Sequence, residues 1–329
     1  MDPLTHVVVG RAVIAALPDE RRLGPGAAAA AVLGALAPDV DVLFAFSGWD
    51  RYLRVHEIGT HSIAGAAITA CAAAAVVHLW ARIGHRRGTN PGTDRGQTPM
   101  PLVAAAFGGA MSHLALDVMS GARIRLGWPI VDVKVSLPLV AMADPWIIGI
   151  CVLGLLSRWP GGLSMRTAAR AVLGLAIGFL CLKGALLGRA LSAADLEPIR
   201  PRAIEARWSA LTDWYVFDRT PDAVRRWTIT SRGGPATLSL SQPLEPESAL
   251  VQASHSLGTV SNFLAVHEFG FADQSPAPGE RTQVLWSDLR YCKAGAVCGL
   301  WFGGEFGADG RALTQLVKVG DWIQTRPAP

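Results

Sequence analysis

Seven side chains ahead of residue 120 have the types and spacing to hold a divalent metal ion: His6, Asp39, Asp41, His56, His61, His113 and Asp117. His113 and Asp117 stand four residues apart, so a helix presents both on one face within reach of one ion. Pro38 weakens any helix just before Asp39-Val40-Asp41, which lets two carboxylates turn toward a polar cavity instead of lipid. His56 and His61 are separated by about 140° around a helix, so one of them must lie on a loop, with Gly59 as the turn between them. Imidazole and carboxylate donors without thiolates suit zinc, with manganese or iron as alternatives, and not a cysteine-based structural zinc site. There are donors enough for one or two ions, or more.

The elements that must carry these residues are apolar. Ser62–Ile83, Pro101–Ser120, Leu137–Ser157 and Thr167–Leu191 are long enough, or nearly so, to cross a bilayer of about 30 Å as helices. Gly26–Phe46 has the length but is interrupted at Pro38, and Leu4–Leu17 is too short to cross unaided. Six segments place the arginine-bearing loops on one side: Arg21 and Arg22; Arg82, Arg86, Arg87 and Arg95; Arg158, Arg166 and Arg170. That side should be cytoplasmic, although Arg51, Arg54, Arg123, Arg125 and Lys134 dissent. The seven donors then converge on one depth in the outer leaflet. Ionisable groups inside a membrane are costly, and their convergence points to a site.

The composition agrees. Of 329 residues, 50% are hydrophobic and only 17% are charged, against about a quarter in soluble domains. This excludes a disordered or coiled-coil chain. The net charge of +4 lies in loops without clustered aromatic partners, so no nucleic-acid surface is expected. The apolar excess stops near residue 195. The expected fold is therefore an α-helical polytopic membrane domain of about six helices over 1–195, some short or broken. A small α+β, mostly β, extramembrane domain over 196–329 follows it. Strands are expected at Arg202–Ala210, Asp213–Arg219, Val224–Ser231, Thr237–Ser241, Thr282–Tyr291, Gly299–Phe306 and Leu313–Val319, with one helix over Glu247–Phe269. Cys292 and Cys298 bracket a short turn, where a disulfide and a free pair are both open.

Four motifs in order carry a resemblance. Met1-Asp2-Pro3-Leu4-Thr5-His6, Gly34-Ala35-Leu36-Ala37-Pro38-Asp39-Val40-Asp41, His56-Glu57-Ile58-Gly59-Thr60-His61-Ser62 and Ser112-His113-Leu114-Ala115-Leu116-Asp117 resemble the YdjM family of bacterial inner-membrane proteins, described as metal-dependent hydrolases. The resemblance implies that all seven donors are metal ligands. Glu57 departs from the arginine that many members carry there. A carboxylate at that position could add a ligand or a general base, or alter the charge preference for substrate. The family is also distantly similar to zinc-dependent phospholipases C.

Together these readings lead to a membrane-embedded hydrolase in the cytoplasmic membrane, with its C-terminal domain extracytoplasmic. A metal-activated water would cleave a phosphodiester or ester of a lipid or lipid-linked substrate in the outer leaflet. Asp41 or Glu57 would serve as general base. Arg123 and Arg125 would bind a phosphate group or act as snorkelling anchors. The competing classes are a metal-ion or proton transporter or channel, and a non-catalytic scaffold with a structural metal.

Overall fold

The computed structural model describes residues 1–56, 58–86, 99–158, 162–197, 199, 203–244, 248–293 and 297–328. The chain packs as two units. One comprises Met1–Asp41, His56–Arg189 and Glu205–Thr212; the other comprises Val42–Val55, Ala190–Ile204 and Asp213–Pro329.

The first unit is helical: α1 Pro3–Ala15, α2 Ala27–Leu36, α4 Ile63–Arg86, α5 Met100–Met119, α6 Pro145–Leu156 and α7 Met165–Ala193, whose last turn passes into the second unit. Among the described residues, four stretches are long and apolar enough to cross a membrane: Ala27–Ser47, Ile63–Gly84, Met100–Met119 and Met165–Ala193. The expected span over Leu137–Ser157 is not one. Only the 12 residues Pro145–Leu156 form helix, about 18 Å of rise. The reason is local. Asp144 caps the helix through hydrogen bonds from Trp146 N at 3.0 Å and Ile147 N at 3.4 Å. Pro145 occupies the first turn, and the residue before a proline is biased away from helix. The first helix begins the same way: Asp2 accepts from Thr5 N at 2.9 Å, with Pro3 in the first turn.

The core of this unit is built from small residues. Ala27, Ala30 and Ala31 of α2 are buried against Ala105, Ala106 and Ala110 of α5, and Ala66, Ala70 and Ala74 of α4 join them. Small side chains let helices approach closely where lipid offers no hydrophobic drive, so contact comes from shape alone. A Cβ on Gly34 would collide with the Ala106 carbonyl, and one on Gly109 with the Ala31 carbonyl. α2 and α5 therefore meet backbone to backbone.

The second unit holds two antiparallel sheets. Strands β1 Ala203–Ala206, β2 Asp213–Arg219, β3 Ala223–Thr230 and β4 Thr237–Pro243 lie in chain order, and so do β5 Gly270–Ala277, β6 Arg281–Asp288, β7 Leu300–Phe306, β8 Ala312–Val319 and β9 Trp322–Pro327. The expected single helix is two, α8 Ala249–Ser254 and α9 Gly258–Leu264, because Leu257 is extended and starts a new helix. Glu247, at the start of that expectation, lies outside the described residues. Cys292 and Cys298 are disulfide-bonded. One short helix from the N-terminal half belongs to this unit: α3 Trp49–Val55. Trp49 and Leu53 pack on the core of Val260, Phe263, Phe302 and Val317. Its buried Asp50 pairs with Arg326 and accepts from Asn262 Nδ2 at 2.9 Å.

A buried imidazole makes this unit acid-sensitive. His267 is pushed down from 6.5 to about 4, by burial first and by the nearby Arg290 charge second. Between those pH values the unfolded chain takes up a proton that the folded unit refuses, so stability falls as pH drops from 6.5 toward 4. The loss at pH 5 is about 2 kcal/mol. Asp288 adds a later loss. Burial opposes its ionisation, but Arg290 outweighs burial and holds it below the ordinary carboxylate value. Its stabilisation is therefore lost only as the pH falls below about 4. The protection factors of amides in α9 and β6, with the intrinsic slowing divided out, should fall from pH 7 to pH 5, and His267→Phe should flatten that difference. Equal protection at both pH values would refute it.

Candidate metal centre

Each donor is placed by a local feature of the chain. His6 sits in the first turn of α1, just after the Asp2 cap, and His113 and Asp117 lie one turn apart on α5. At Ala37-Pro38 the α2 helix tightens into a 3-10 segment that runs to Ser47, since proline removes a backbone donor, and this segment carries Asp39 and Asp41. His56 follows α3 and His61 precedes α4. The Ser62 hydroxyl fixes that second approach, donating to Gly59 O at 2.8 Å and accepting from Gly65 N at 2.9 Å.

All seven side chains come together in the helical unit, as three overlapping groups: His6, His113 and Asp117; Asp39, His61 and His113; Asp41, His56 and His61. Four donor atoms form the centre. His61 Nε2 is 3.3 Å from His113 Nε2 and 3.3 Å from Asp39 Oδ1. His113 Nε2 is 3.6 Å from Asp39 Oδ1. Asp117 Oδ2 is 3.0 Å from His113 Nε2 and 3.5 Å from His61 Nε2. A tetrahedron whose corners lie 2.0–2.2 Å from its centre has edges of about 3.3–3.6 Å. The five separations, 3.0–3.6 Å, lie near such edges, and the buried His and Asp groups could bind a metal ion.

Two flanks extend the centre. On one side Asp117 Oδ1 faces His6 Nε2 at 3.4 Å and the Met1 amino group. The His6 ring stacks on His113 with centroids 3.8 Å apart. His6 is fully buried, and while Nε2 faces Asp117, Nδ1 has no hydrogen-bond partner among the described residues. An orphaned buried polar group costs about 1–3 kcal/mol, and coordination would satisfy it. On the other side Asp41 Oδ2 lies 3.0 Å from His56 Nδ1 and 3.6 Å from His61 Nδ1.

Groups behind the donors set their orientation. His113 Nδ1 lies 2.7 Å from the Ala35 carbonyl, so this nitrogen carries the proton and Nε2 keeps its lone pair for the site. Thr60 donates to Asp41 Oδ2 at 3.1 Å and its hydroxyl also lies 3.1 Å from His61 Nδ1. Sequence reasoning passed over Thr60, although it stands inside the His56–Ser62 motif. The Ala35 carbonyl is a backbone group and leaves no sequence signal. Access is one-sided. Asp39 is 35% exposed and His56 22%, whereas His6, Asp41, His61, His113 and Asp117 are at or below 5%.

Arg123 and Arg125 lie on the loop after α5, and Arg125 Nη1 is bound to Asp132 at 3.0 Å. Glu57 lies outside the described residues. Another membrane cation was overlooked: Lys183 of α7 is fully buried and donates to Ala210 O at 3.0 Å and Leu211 O at 3.2 Å. Trp208 Nε1 donates to Ala143 O at 2.9 Å beside it in sequence, so Lys183 latches the 205–212 segment onto the helices.

No curated protein and no solved structure gives a significant match to this chain. The sequence profile of the YdjM inner membrane protein family matches residues 1–191, the stretch that holds all seven donors and the four apolar spans but for the last two residues of the fourth. The chain is a membrane protein and belongs to the YdjM inner membrane protein family.

Proposed function

We propose that the protein is a metal-dependent hydrolase of the cytoplasmic membrane, acting on a lipid or lipid-linked phosphodiester or ester in the outer leaflet. The observation that carries this reading is the four-donor centre at His61, His113, Asp39 and Asp117, open only along Asp39 and His56. Nitrogen and oxygen donors at tetrahedral spacing favour zinc over manganese or iron. When bound, such an ion supplies Lewis acidity and water of lowered pKa. Each flank offers donors for a further ion, His6 with His113 and Asp117 on one side and Asp41 with His56 and His61 on the other. Asp41, held by Thr60 and His56, is assigned as a ligand and proton acceptor, with Glu57 beside His56 in sequence as the other carboxylate. Arg123 and Arg125 are assigned to the anionic part of the substrate. The arginine distribution and the Cys292–Cys298 disulfide support an extracytoplasmic C-terminal domain.

A second reading has its own support. Four protein donors close a tetrahedron, as in structural zinc sites, where catalytic ones keep a position free. One experiment separates the two. The purified protein, reconstituted in lipid, is assayed for metal content and for hydrolysis of phospholipid and lipid-linked ester classes. A hydrolase turns over one class, loses turnover on chelation, and loses it in His56→Ala while the central ion stays bound. A structural metal gives bound ion with no turnover of any class, and a fall in melting temperature on chelation.

A further inference from the structure

The loop between α5 and α6 is a rigid arm with one apolar face. Its two limbs are joined by bridges between Ser120 and Pro138 and between Ile124 and Val135. Its root is clamped to the last turn of a membrane span: Leu137 N donates to Val118 O at 2.7 Å and Leu139 N to Met119 O at 3.0 Å. Ile124 is fully buried in the helical core, so the arm does not hang free. The returning limb alternates strictly: Val131, Val133, Val135 and Leu137 against Asp132, Lys134 and Ser136. In an extended chain such alternation separates two faces. Asp132 and Ser136 turn back onto the first limb, to Arg125 Nη1 at 3.1 Å and to Gly121 O at 2.8 Å. Both faces of this limb are exposed, and the apolar one is continuous along it. Val131 is 51% exposed, Val133 57%, and Ile130 at the tip 91%.

We infer that this arm, over residues 127–137, lies on the bilayer with its valine face among the acyl chains and Lys134 among the headgroups. Several observations commit the surface to lipid. The loop that carries the arm is rooted at the α5 terminus through the Ser120–Pro138 bridge, and α5 is long enough to cross the membrane, which sets the arm at that end of the span. Trp128, Lys134, Arg123 and Arg125 are residue types that anchor proteins at the headgroup level. A bare apolar stripe of this size in water would be an association hazard. The arm also touches the metal loop. Ile63 N donates to Leu126 O at 3.0 Å, and the Trp128 ring lies over Gly59, 3.7 Å from where a Cβ would be. A lipid lying along the arm is therefore brought to the turn that carries His56 and His61. The docking itself does not depend on the hydrolase reading.

The test places single nitroxide labels at positions 131, 133, 134 and 135 of the full chain. Cys71, Cys151 and Cys181 are first replaced by serine, and the protein sits in nanodiscs of phosphatidylethanolamine and phosphatidylglycerol. Collision with oxygen over collision with a water-soluble nickel chelate should be severalfold higher at 131, 133 and 135 than at 134. Nickel access equal at all four positions would overturn the proposal in favour of a solvated loop. Low access to both agents, with dipolar broadening between labels on different chains, would overturn it in favour of a contact between copies. Neither readout involves turnover or metal, so failure here leaves the hydrolase reading standing.

Discussion

Replacing His113 by alanine should abolish tight binding of the divalent ion proposed for the centre, while replacing His56 by alanine should leave that binding in place. His113 contributes one corner of the four-donor centre and is shared by two of the three donor groups. Its other nitrogen is committed to the Ala35 carbonyl, so no neighbouring ring can adopt its position without giving up that hydrogen bond. Loss of an orienting partner behind a ligand weakens metal binding by about 10–100-fold, and loss of the ligand itself should exceed about 100-fold. His56 instead pairs with Asp41 on the flank and meets the His61 ring edge-on, with centroids 4.9 Å apart, and it is not one of the four central donors. Competition with a chromophoric chelator measures both affinities. Equal affinity for His113→Ala and wild type would sink the assignment of the centre.

The second large effect arises one helical turn away. Gly34→Val and Gly109→Val should each destabilise the helical unit by about 2–3 kcal/mol and weaken metal binding with it. Each new side chain meets a backbone carbonyl across the α2–α5 contact, Ala106 in one case and Ala31 in the other, and a carbonyl cannot rotate aside. The helices must part. Gly34 adjoins Ala35, whose carbonyl orients His113, and Gly109 precedes His113 by one turn on the same face. Asp39 rides on α2 through the 3-10 segment, so separation also pulls it from His61 and His113. Gly174→Val on α7 is the control, because a Cβ there meets nothing within 4 Å. Melting temperature and chelator competition give both readouts. Full metal affinity in Gly109→Val would show that the centre does not depend on this close contact.

Much of this was legible in the residue string, for a physical reason. In a half so poor in charge, a histidine or aspartate is costly where it stands, and such residues are few enough to name; all seven prove to be neighbours. What escaped depended on partners distant in sequence. Lys183 sits in a long apolar run, and the carbonyls that satisfy it belong to Ala210 and Leu211. Hydropathy overestimated α6, because averaging over Leu137–Ser157 conceals the cap at Asp144-Pro145. Strand β5 went unread since Pro276 argues against a strand, although at its end, opposite Thr282, it is tolerated. The break at Leu257 lies in a helical pattern whose two halves face one core. Nothing local in Trp49–Val55 says that its packing partners are encoded two hundred residues later.

That last arrangement sets the order of events during synthesis. Asp50 and Arg326 are 276 residues apart in the chain. At translation speeds of 5–20 residues per second the arginine appears roughly 15–55 s after the aspartate. Through that interval α3 has neither its ion pair nor the apolar core on which Trp49 and Leu53 rest. The chain between Asp41 and His56 therefore waits for the final strand before it is held at its middle. The residues at both of its ends, Asp41 and His56, are donors of the cluster.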